Sequence, residues 1–69
     1  MIIEGRAHKL GRDLLVGDII NNCGDLFRIA RFDAEPYTGV PGSPGRIAYT
    51  ASGDAWVILD AVPHRTETL

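Results

Sequence analysis

Apolar residues recur along this chain in short bursts, each ended by Gly, Pro, Asn or Asp, and no window of ten or more residues keeps a helical period. Such a pattern predicts short strands joined by turns. Residues 6–9 read as a first strand, with Ala7 inward and Arg6 and His8 outward, and Gly11 breaks it. Residues 12–20 then set two aliphatic clusters, Leu14-Leu15-Val16 and Ile19-Ile20, on either side of Gly17-Asp18. A tight turn is expected there, because Gly17 takes a positive φ at little cost and a carboxylate beside it can accept hydrogen bonds from turn amides. Residues 18–22 form a second strand, and Asn21-Asn22-Cys23-Gly24-Asp25 reverses the chain with Gly24 left-handed.

Residues 26–33, Leu-Phe-Arg-Ile-Ala-Arg-Phe-Asp, give the clearest strand. Phe27 and Ile29 share one face, and strict alternation puts Phe32 on the other. A bulge near Ala30 or Arg31 brings Phe32 back to the core, as strongly bent strands require. Six of the twelve residues in 34–45 are Gly or Pro, so no central strand passes there. Residues 46–50 and 55–59 form the next two strands, around a turn at Ala51-Ser52-Gly53-Asp54. In Ala55-Trp56-Val57-Ile58-Leu59 both faces are apolar. Val57 and Leu59 are expected inward with Phe27, Ile29 and Ile47, and Trp56 and Ile58 outward. Residues 60–62 turn the corner, and 63–69 read as a polar, frayed tail. Five or six strands in this length predict an all-β fold, a small antiparallel barrel over residues 1–62 followed by that tail.

Composition narrows the function. A domain of 69 residues hides only about 60% of the surface its unfolded chain exposes, which leaves little material for a deep catalytic cleft. The net charge of −2 lacks the basic excess of a dedicated nucleic-acid binder. One cysteine, Cys23, allows no internal disulfide, and no apolar run is long enough to span a membrane. The first residues lack the pattern of a signal peptide, so a cytoplasmic location is expected.

Asp13-Leu14, then Gly17-Asp18-Ile19-Ile20, then a glycine turn and Phe27-Arg28-Ile29 together resemble the opening of small SH3-like barrels. They are similar to short single-domain SH3-like proteins of actinobacteria and their bacteriophages. The same hairpin resembles one part of the Hint fold of inteins and hedgehog proteins. Hint chemistry does not carry over: the chain has no Cys or Ser nucleophile at its start, no Thr-x-x-His block and no terminal His-Asn. The resemblance implies a fold rather than an activity.

The chemistry-bearing residues mostly have ordinary explanations. Cys23 lies in a predicted turn, far in sequence from His8 and His64, and no close ligand pair marks a zinc site. Asp13, Asp18, Asp25, Asp54 and Asp60 all adjoin turns, where carboxylates cap. The run from 39 to 46 lacks the Gly-Lys-Ser/Thr ending of a phosphate loop, and its Pro41-Gly42-Ser43-Pro44 is a literal Pro-x-x-Pro. No enzyme and no cofactor are expected. The expected function is a small non-enzymatic protein-binding module, phage-encoded, acting on a host or virion protein or on a second copy of itself. Trp56, Ile58 and Tyr37 are its partner-binding candidates. The alternative is a nucleic-acid-binding accessory domain, with Arg6, Arg28, Arg31 and Arg46 as contacts.

Overall fold

The computed structural model describes residues 6–67. Strand β1 spans Arg6–Leu10 and runs into one 3₁₀ turn, Gly11–Asp13. Next come β2 (Ile19–Asn22), β3 (Asp25–Arg28), β4 (Arg31–Phe32), β5 (Gly45–Tyr49), β6 (Ala55–Leu59) and β7 (Pro63–Glu67). The fold is all-β and consists of two antiparallel sheets, one ordered β1-β7-β2-β3 and the other β4-β5-β6. Neither sheet closes on itself among the described residues.

The turn before β2 forms as its residues demand. Gly17 has φ +96°, Asp18 N donates to Leu15 O at 3.1 Å, and the Asp18 carboxylate accepts Leu15 N at 2.9 Å. Lys9 Nζ donates to both oxygens of the same carboxylate, at 3.2 and 3.1 Å, tying β1 to the turn. The β2–β3 hairpin turns through Cys23 (φ +54°) and Gly24 (φ +95°), and Asn21 Oδ1 accepts Gly24 N at 2.8 Å.

Between β3 and β4 the chain crosses from one sheet to the other. Ile29 N donates to Asp18 O in the first sheet, and Ala30 N donates to Tyr49 O in the second. Tyr49 is also the register partner of Arg31, so Ala30 and Arg31 both oppose one residue. This is a bulge at the expected place. It returns Phe32 to the inside, where it packs against the core.

That core consists of Leu14, Ile20, Phe27, Ile29, Ala48 and Ile58, with Phe32 and Trp56 packed against it. Here β6 corrects the reading of its faces. Ile58 is 0% exposed and Trp56 lies 4.6 Å from Phe27 between ring centroids, whereas Val57 is 46% exposed. The inward residues are Trp56 and Ile58, and the outward ones Val57 and Leu59. Ile47, paired with Val57, faces outward as well. The cause lies on β5, where Ala48 opposes Trp56 and Arg46 opposes Ile58. A small residue makes room for the indole, and an arginine occupies an inward register. Counting apolar residues therefore inverted the strand. Full burial of an Ile side chain contributes about 1.5–3 kcal/mol, which locks the observed register.

The second correction concerns the C-terminal residues. Pro63–Glu67 is not a frayed tail but β7, hydrogen-bonded to β1 on one side and β2 on the other. Only Thr66 in it is buried. Backbone pairing on both edges holds this strand, so its side chains carry little apolar signal.

Candidate interaction surfaces

Pairing and alternation define the outward face of the three-stranded sheet. Arg31, Tyr49 and Ala55 form one row, Ile47 and Val57 the next, and Gly45 and Leu59 the last. Asp33 N donates to Ile47 O, which sets Asp33 beside the middle row. Tyr37 bridges to Gly45 and so joins the last row on the side of β5 opposite β6. The Arg31 guanidinium carbon sits 3.9 Å from the Tyr49 ring centroid. Tyr49, Ile47, Leu59 and Tyr37 are half-buried, and Val57 is open. Of the expected partner-binding residues, Tyr37 lies here. Ile58 has no exposed surface to offer, and Trp56 belongs to the packing around Phe27.

The four expected arginine contacts separate. Arg46 serves the scaffold: its Nη2 donates to Gly11 O at 2.6 Å and Leu14 O at 2.9 Å, and its guanidinium stacks 3.9 Å over Phe32. Arg31 caps Tyr49 on the second sheet. Arg6 and Arg28 share one row of the four-stranded sheet, in the register Arg6, Glu67, Ile19, Arg28. The adjacent row on that face holds the pairs His8–Arg65 and Asn21–Leu26. Because Ile20, Phe27 and Thr66 take the inner face, His8, Arg65, Leu26 and Arg28 stand exposed on the outer one, around an Ile19 that is buried there. Arg65 and His8 were missed as members of this surface. The available signal was slight, a single β-branched residue, Thr66, set among polar ones in His64-Arg65-Thr66-Glu67.

The loop from 34 to 44 carries its own turn. Ser43 N donates to Val40 O at 3.1 Å with Gly42 at φ +74°. Pro41-Gly42 is therefore the centre of a reverse turn. The Pro-x-x-Pro stretch is not the extended polyproline helix that its motif suggests, since a positive φ interrupts that helix. An open concavity of about 260 Å³ lies against this turn, lined by Thr38, Val40, Pro41, Gly42, Ser43 and Pro44.

Cys23 is exposed. His64 Nε2 is buried without a hydrogen-bond partner, and burial pushes the ring below its ordinary pKa of 6.5. Among the described residues, no group of three or more His, Cys, Asp or Glu is placed to hold a metal ion, and no helix is long and apolar enough to cross a membrane. Comparison with protein-family models, with curated proteins and with solved structures finds no match.

Proposed function

We propose that the protein is a small intracellular, non-enzymatic protein-binding module of SH3-like architecture, and that it binds through the outward face of β4-β5-β6. The strand order supports the architecture. A bent strand, β3 through the bulge into β4, serves both sheets, and β7 returns beside β2. Strand β1 adds an edge to that plan. A phage origin, with a host or virion protein as target, follows from the resemblance of the opening hairpin.

The observation that carries the binding reading is Val57, 46% exposed on β6 in the middle row of the face, paired with Ile47 and neighboured by Tyr49 and Leu59. A sheet face of this kind, edged by Arg31 and Asp33, has the apolar centre and polar rim of a protein interface. Val57→Asp places a charge at that centre and leaves the core untouched. Wild-type and Val57→Asp proteins are immobilised side by side and exposed to the same host lysate, and their mass in solution is compared. The expected result is a protein, or a second copy of the chain, that wild type retains and Val57→Asp releases. Identical retention and identical mass, with both chains folded, would exclude this face.

The second reading, nucleic-acid binding, rests on the arginines of the four-stranded sheet. Its mark is affinity that falls linearly with log salt.

A further inference from the structure

The outward face of β1-β7-β2-β3 differs in charge from the rest of the molecule. Its register positions carry Arg6, Arg28 and Arg65 with His8, against one acid, Glu67. The whole chain has a net charge of −2. The other acids of the described residues, Asp13, Asp18, Asp25, Asp33, Glu35, Asp54 and Asp60, lie off this face, in turns, loops and the 3₁₀ segment or on the inner side of β3. The fold thus sets Arg28 and Arg65 on one side with His8 and leaves all but one of the described acids elsewhere.

Ile19 on this side is buried, and the open groups stand around it. Arg28, Arg65 and His8 are exposed. Glu67 is engaged by Asn21, whose Nδ2 donates to Glu67 Oε1 at 3.0 Å. Leu26 stands on the same face, 55% exposed, between Asn21 across the hairpin and Arg28 along its own strand. Strands lie about 4.8 Å apart and alternate residues about 7 Å apart, so the Arg6 and Arg28 positions are some 14 Å from each other with Arg65 between them.

We propose that this face binds an acidic protein segment, its carboxylates on Arg28 and Arg65, and one of its apolar side chains on Leu26. Charge complementarity selects the occupant, because a patch of one sign steers and orients a partner of the other. Arginine suits carboxylates through its paired donors. A nucleic-acid strand fits less well: the described residues of this face include no Phe, Tyr or Trp on which a base could stack, and an exposed leucine gains nothing from a phosphate backbone. The surface belongs to a different sheet from the apolar face around Val57, so the two readings stand or fall separately.

The test measures fluorescence anisotropy of a labelled peptide of Glu and Leu residues, with labelled single-stranded and duplex DNA of equal charge as competitors for the assignment. Wild type is expected to bind the peptide more tightly than either DNA. The double variant Arg28→Glu/Arg65→Glu should weaken peptide binding at least about tenfold. Leu26→Ser should weaken the Glu/Leu peptide more than a pure poly-glutamate chain, and Val57→Asp should bind the peptide as wild type does. Thermal unfolding checks that each variant is folded, and the neutral pair Arg28→Gln/Arg65→Gln replaces the reversed pair if that one is not. No binding of the peptide, equal binding by the charge variants, or tighter binding of DNA would each overturn the proposal. Loss of binding in Val57→Asp would assign the peptide to the other face and overturn it too.

Discussion

Arg46→Met keeps the stem of the side chain and removes its donors. In the native protein this one guanidinium joins three elements. It donates to Gly11 O in the 3₁₀ turn and to Leu14 O after it, and it stacks on Phe32 of β4. Hydrogen bonds from a charged donor contribute about 1.5–3 kcal/mol each, and a stacked cation adds about 0.5–2. The terms share one group and do not add in full. Gly11 O retains a weaker bond from Leu14 N at 3.3 Å, while Leu14 is 0% exposed, so its carbonyl is left without this donor in a dry setting. A loss of about 2–4 kcal/mol follows. Domains of this size have about 3–10 kcal/mol in total, and each kcal/mol moves the melting temperature by about 4–8 °C. The variant should therefore melt some 10–25 °C lower, within reach of unfolding at ambient temperature. Urea titration is followed by far-UV circular dichroism and by fluorescence of the single tryptophan, Trp56. Arg46→Lys should fall between the two, because a point charge keeps one bond and loses the fork. A midpoint for Arg46→Met within experimental error of wild type would refute the scaffold role and return Arg46 to the surface contacts.

Gly17→Val should cost about 1–3 kcal/mol through backbone strain alone, because φ is +96° and an added Cβ meets nothing within 4 Å; a melting temperature equal to wild type would count against that conformation in solution. Trp56→Ala should destabilise by about 2–4 kcal/mol, since the indole packs on Phe27 and the core; unchanged folding with altered association would restore the outward orientation of this residue. His64 makes stability depend on pH. Its folded pKa lies below 6.5 through burial, so the unfolded chain takes up the proton first; this contribution is whole above pH 6.5 and is lost as pH falls from there through the lower folded pKa. Melting temperatures on either side of pH 6.5 should diverge for wild type and less so for His64→Gln, and equal divergence would assign the effect to other groups.

Local chemistry made the turns legible and long-range partnership hid the faces. Gly17-Asp18 and Cys23-Gly24 were readable because each depends on residues within a few positions of itself, and the bulge at Ala30-Arg31 because Phe32 breaks the alternation set by Phe27 and Ile29. Phe27 and Ile29 were readable as core because apolar and polar residues alternate around them. On β5 and β6 the same rule failed at one position, Arg46. An inward arginine is disfavoured unless carbonyls wait for it, and those carbonyls, Gly11 O and Leu14 O, lie more than thirty residues away. With Arg46 assigned outward, Ile47 had to face inward, and β6 followed as its partner. Strand β7 was hidden for a related reason. It lies between two strands, its edges are satisfied by β1 and β2, and only Thr66 among its side chains is buried. These two misreadings governed the surfaces. Reversing β6 exchanges a face of Trp56 and Ile58 for one of Val57 and Leu59. Adding β7 brings Arg65 between the positions of Arg6 and Arg28, which turns scattered basic residues into one side of a sheet. In a domain this small, the inward polar residue and the polar central strand decide which residues a partner can touch.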